Sequence, residues 1–148
     1  MFTHLKYYGF LTLNFFCLKE ITLTMTAAKI SSIDPPNDAT ILLGTSTLKI
    51  NYEVPVSLST RNITIYQIGG NNIRTRQTTS GQISEFCSIS PDNKIVSLNV
   101  LPSTFNVPNS EYHVYISANF VRHNNSTEPI NMFPHSGWIL RTGKVIYC

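Results

Sequence analysis

Charge is scarce in this chain. Asp, Glu, Lys and Arg make up 13% of its 148 residues, against about 25% in ordinary soluble domains. The formal net charge is only +3, and Arg61, Arg74, Arg76, Arg122 and Arg141 are scattered rather than clustered. Such a pattern offers no stripe to follow a phosphate backbone, so nucleic acid is not expected as a partner. Ser, Thr and Asn supply the polar surface instead, which suits an extracellular β-protein. Cysteine is nearly as rare. Cys17, Cys87 and Cys148 form no CxxC pair, which argues against a zinc site. The histidines, His4, His113, His123 and His135, have no carboxylate at ligand spacing and are read as facing solvent. The acidic residues form no DxDxDG loop, so no helix–loop–helix calcium site is present. Asp34 and Asp38 are read as caps of a double-proline turn rather than as cation ligands. No G-x-S-x-G elbow and no Ser/His/acid or Cys/His arrangement is marked. The expectation is a chain with no catalytic, cofactor-binding or metal-binding residues, and not an enzyme.

Long apolar runs are also missing. The longest, Tyr7 to Leu18, falls short of the roughly 20 residues a membrane-spanning helix needs. It follows a short, mildly basic start and precedes the small residues Thr26-Ala27-Ala28, a layout resembling a secretory signal peptide. Lys19-Glu20 interrupts the run, and a second reading makes residues 1–24 an extension ahead of Met25. Either way residues 1–28 stand apart from a domain spanning 29–144, with 145–148 as a tail. If Cys17 is removed with the leader, Cys87 and Cys148 remain. A disulfide between them is one reading; the other is one buried and one terminal cysteine.

What the chain does have is alternation. In Leu48 to Val56, LKINYEVPV, residues Leu48, Ile50, Tyr52, Val54 and Val56 point one way and Lys49, Asn51 and Glu53 the other. That is the period of a half-buried β-strand. Pro55 requires its far end to lie at an edge or bulge. Further strands are predicted over Ala28 to Ile33, Asn62 to Ile68, Ile73 to Thr79, Lys94 to Leu101, Tyr112 to Phe120 and Trp138 to Thr142. Weaker segments lie at Ile41 to Leu43 and Gln82 to Ile89. Gly69-Gly70-Asn71-Asn72 signals a hairpin, and Ser90-Pro91-Asp92-Asn93 a proline turn. Arg122 to Pro134 reads as a polar loop. Phe105 is expected beneath the loop from Pro102 to Ser110. Tyr112 is placed to make a tyrosine corner, and Trp138 to sit in the core. About seven short strands without an amphipathic helix predict an all-β, Ig-like antiparallel β-sandwich.

Four segments carry a family resemblance: Pro35 to Ala39, Ile50 to Val56, Tyr112 to Val114 and Trp138 to Gly143. Their order resembles the bacterial-type Ig-like domain of the surface-layer-protein class, over about residues 29–144. In that family a P-x-(D/N)-G-A turn leads into an I-x-(F/Y)-x-x-P-V strand; here Asp38 replaces the usual Gly. The segment from Phe120 to Pro134 departs from the family's loop. The resemblance implies a domain that spaces, stiffens or displays partners on cell surfaces or in the cell wall, with no catalytic residues.

Asn62-Ile63-Thr64, Asn124-Asn125-Ser126 and Asn125-Ser126-Thr127 are N-glycosylation sequons, making Asn62, Asn124 and Asn125 candidate acceptors. Tyr66 and Tyr115 are predicted to point outward and could form an exposed aromatic platform. The leading functional expectation is a non-catalytic, secreted or cell-surface module with a structural, adhesive or display role. Neighbouring domains, cell-surface proteins or glycans are its expected partners. The alternatives are a carbohydrate-binding β-sandwich and an accessory domain of a larger secreted enzyme.

Overall fold

The computed structural model describes residues 29–123 and 135–144, and these fold as an all-β structure. Among them no helix is long and apolar enough to cross a membrane. The strands are β1 (Ile30–Asp34), β2 (Ala39–Ile41), β3 (Thr47–Tyr52), β4 (Val56–Leu58), β5 (Asn62–Gly69) and β6 (Asn72–Ser80). They continue with β7 (Cys87–Ile89), β8 (Ile95–Asn99), β9 (Glu111–Ile116), β10 (Val121–His123) and β11 (His135–Thr142).

Two sheets form the sandwich. One has four strands in the order β1-β3-β8-β7; the other has five, in the order β2-β11-β9-β5-β6. A two-stranded ribbon, β10-β4, completes the set. Alternation puts every second side chain into one shared core. The four-stranded sheet contributes Leu48, Ile50, Tyr52, Val96 and Leu98. The five-stranded sheet contributes Ile63, Ile65, Tyr112, Val114, Ile116, Trp138 and Leu140. Burying each large side chain is worth about 1.5–3 kcal/mol, so this layer dominates the stability.

Turn chemistry closes the strands as the residue types require. Gly70 takes a positive φ of 54° between β5 and β6. Asn93 does the same at 57°, where the Ser90 hydroxyl accepts from Ile95 N at 2.9 Å. Ser90 also donates to Asp92, and this bond is the main reason the Asp92 carboxyl is held below its usual range. Asp38 lies at φ 62°, in the left-handed region. Asp tolerates that region better than most residues. The double-proline turn is clasped to β11: Trp138 Nε1 donates to Pro35 O at 2.9 Å, and Ile139 N to Asn37 Oδ1 at 2.7 Å.

The expected core residues behave as such. Trp138 and Phe105 are fully buried. Phe105 meets Tyr112 edge-on, with centroids 5.0 Å apart and rings 89° to one another. The Tyr112 hydroxyl accepts from Val107 N at 3.3 Å and donates to Val107 O at 3.4 Å. The tyrosine thus ties the 102–110 loop back to the base of β9.

The described residues form eleven strands where about seven were expected, for physical reasons. The run from Leu48 to Val56 is two strands rather than one. Pro55 has no N–H to give a ladder, so β3 stops at Tyr52 and β4 leaves to pair with β10. The predicted strand from Tyr112 to Phe120 ends at Ile116. Asn119, at φ 62°, turns the chain, and Phe120 N bonds Ser117 O at 3.1 Å. Phe120 is buried from the turn, not from the strand. The predicted polar loop from Arg122 contains most of β10. The weak segment at Ile41 belongs to β2, which runs parallel to β11 through Leu140↔Ala39 and Thr142↔Ile41.

Candidate functional site

The outer face of the five-stranded sheet holds the most distinctive group of side chains. In β5 the outward positions are Thr64, Tyr66 and Ile68; in β9 they are Glu111, His113 and Tyr115; in β11, Ile139 and Arg141. Register stacks them side by side: Thr64 opposes Tyr115, Tyr66 opposes His113, and Ile68 opposes Glu111. On the other flank Ile73 of β6 opposes Ile68. Residues directly opposite on one face are close enough to interact.

The result is a shallow groove of about 240 Å³, lined by Tyr66, Ile68, Ile73, His113, Val114 and Tyr115. The two tyrosines predicted as a platform are therefore brought together, each half-buried. Ile73 leaves 69% of its surface exposed at the rim. A lone exposed isoleucine is ordinary; here it is continuous with two tyrosines and a second isoleucine.

A charged row borders the groove. Arg141 donates from Nε and Nη2 to Glu111 Oε2 at 3.1 and 2.9 Å, and from Nη1 to Asp38 Oδ1 at 2.9 Å. Glu111 Oε1 lies 2.7 Å from His113 Nε2. His113 is thus half-buried and paired with a carboxylate, where an unpaired, solvent-facing ring was expected. The carboxylate stands two residues away, on the same face of the same strand. The His113 bond, followed by Arg141, holds the Glu111 carboxyl below its usual range. The bonds to Asp38 and then Glu111 raise the Arg141 guanidinium in turn. These groups satisfy one another, whereas the tyrosine rings line the groove. The arrangement can stack a ligand's flat apolar face against aromatic rings and hydrogen-bond its edge.

The remaining predicted site residues lie elsewhere. Asn62 is exposed at the start of β5, while Thr64 of its sequon is buried. Asn124 and Asn125 lie outside the described residues. Cys87 is buried in β7, and burial pushes its thiol up to about 11; Cys148 lies outside the described residues. Sequence reasoning missed the row Asp38–Arg141–Glu111–His113. Its only local signal was the i, i+2 placement of Glu111 and His113, because Asp38 and Arg141 are 103 residues apart.

No protein-family model matches the sequence, and no curated protein matches it.

Proposed function

We propose that this chain is a non-catalytic, secreted or cell-surface Ig-like module with an adhesive or display role. Its contact surface is the outer face of the five-stranded sheet. The observation that carries this reading is the groove in which Tyr66 and Tyr115 stand with Ile68 and Ile73. Apolar surface gathered in one place and rimmed by charge is how interaction sites differ from scattered exposed residues. The strand orders support the Ig-like part. A four-stranded A-B-E-D sheet facing one built on C, F and G is the immunoglobulin arrangement; the order β1-β3-β8-β7 beside β2-β11-β9-β5-β6 is in keeping with it. The tie from Tyr112 to Val107 supports it too. The resemblance to surface-layer Ig-like domains, the signal-like start and the sequons at Asn62, Asn124 and Asn125 support a place outside the cell.

Two measurements test the reading. N-terminal sequencing of protein from culture medium should find a start near Ala28 or Lys29; recovery only from cytosol would overturn the location. Intact mass before and after glycan removal reports whether any sequon is used. A second reading, carbohydrate binding at the same face, is favoured by the presence of two tyrosines in one groove. Glycan-array binding should then disappear in the double variant Tyr66→Ala/Tyr115→Ala, and binding that survives removes this idea.

A further inference from the structure

A different pocket opens at the end of the sandwich, where the turn before β5 meets the turn after β9. Its volume is about 570 Å³, and Thr60, Arg61, Asn62, Ser117, Asn119 and Arg122 are among its walls. Two observations single it out. Among the described residues its lining includes two arginines and no acid. Among the described residues neither guanidinium lies within ion-pair distance of a carboxylate, whereas Arg141 holds two. In addition, two of the lining side chains each carry a buried polar atom with no partner among the described residues: the donor Nε of Arg122 and the acceptor Oδ1 of Asn119. Unmet buried groups of this kind are costly, and in native proteins they call for a specific cause.

The frame around the pocket is held in place. Ser59 N donates to Phe120 O at 3.0 Å, and Ser117 N to Asn62 O at 3.0 Å. The Ser59 hydroxyl donates to Asn119 O at 2.6 Å. Phe120 and Val121 are fully buried behind it. The volume falls within the range of about 300–1,000 Å³ seen for small-ligand sites. Besides the arginines and Ala118, the walls carry hydroxyl and amide side chains, from Ser59, Thr60, Asn62, Ser117 and Asn119.

We propose that this pocket binds a sugar unit bearing one carboxylate or sulfate group. The anion takes the forks of Arg61 and Arg122, which can pair with two oxygens of a carboxylate or sulfate at once. The ring hydroxyls meet Thr60, Ser117 and, after a small side-chain shift, Asn119. The site is separate from the sheet-face groove and does not depend on it.

The test is amide NMR of the full chain made without N-glycans, since a glycan on Asn62 would stand at the rim. The probes are sodium glucuronate, glucose 6-sulfate, neutral glucose and sodium sulfate. Saturable shifts at Arg61, Asn62, Ser117 and Asn119 are expected with at least one acidic sugar, and comparing the two shows which anion is read. Arg61→Gln and Arg122→Gln should each weaken binding at least about tenfold. Arg61 is exposed, so its variant keeps the fold, which an otherwise unchanged spectrum verifies. Equal shifts with glucose overturn the proposal, because charge is then not read. So do shifts with sulfate as large as with the acidic sugars, the mark of a bare anion site, and so does silence with both acidic sugars. Shifts confined to Tyr66 and Tyr115 overturn it as well, while favouring the sheet-face carbohydrate reading.

Discussion

The four-stranded sheet shows water Ser32, Lys49, Asn51, Ser97 and Asn99, with Asn51 Nδ2 donating to Ser32 Oγ at 2.7 Å. The five-stranded sheet shows Tyr66, Ile68, Tyr115 and the row from Asp38 to His113. Beneath these unlike surfaces the inner layers are alike in being mainly aliphatic with one deeply buried tyrosine each, Tyr52 in β3 and Tyr112 in β9; the five-stranded sheet adds Trp138. Inner positions are all constrained by the same need to leave water. Outer positions escape that constraint and can diverge, which is why the outer faces report function and the inner ones do not. The tyrosines differ in one respect. The Tyr112 hydroxyl bonds to Val107, whereas the Tyr52 hydroxyl is buried with no partner among the described residues, and burial raises its pKa.

The largest expected effect tests whether the like inner layers act as one. Trp138→Ala beneath one face should cost about 3–5 kcal/mol, and Leu98→Ala beneath the other about 2–5 kcal/mol. Urea denaturation followed by fluorescence and circular dichroism should give one shared transition for each variant. Separate transitions for the two sheets would break the comparison at its base. Next is Gly81→Ala. A Cβ there would lie 2.7 Å from Ser59 O and 3.2 Å from Phe120. Backbone cannot yield cheaply, so a loss of about 1–3 kcal/mol is expected, read as a lower melting midpoint.

The tyrosine pair sharpens the comparison further. Tyr112→Phe should lose about 1 kcal/mol with its hydrogen bonds, while Tyr52→Phe should be neutral or stabilising because it removes an unpaired buried hydroxyl. Equal losses in chemical denaturation would erase the distinction.

The smallest effect separates the outer faces by pH. Glu111 is lowered in the folded state. Its stabilisation is therefore present above the unfolded value of about 4.3 and is lost as pH falls through the lower folded value. Glu111→Gln should flatten the stability curve below about pH 4.3, while Lys49→Gln on the opposite face leaves it unchanged. An identical acid limb in wild type and Glu111→Gln would show that the row contributes nothing.

Much of the sandwich could be read along the chain because alternation and turn chemistry are local. Leu48, Ile50 and Tyr52 declare an inner face within a few residues, as do Tyr112, Val114 and Ile116. Gly70 and Asn93 sit where the turn residues place them. Burial of Phe105 and the tie-back of Tyr112 were also readable, since loop and strand are adjacent in sequence. By itself, then, the sequence determined an all-β chain, its inner residues and the outward direction of Tyr66 and Tyr115.

Apart from the β5–β6 hairpin, only the tertiary structure decided which strands meet. It sent β4 to pair with β10 after Pro55, laid β2 parallel to β11, and set Asp38 against Arg141. It also brought Arg61 and Arg122 around one pocket that no acid lines among the described residues. These outcomes depend on closure of the core, which selects among strand partners by fitting side chains that are far apart along the chain. Periodicity records which way a residue points; it carries no record of what lies opposite.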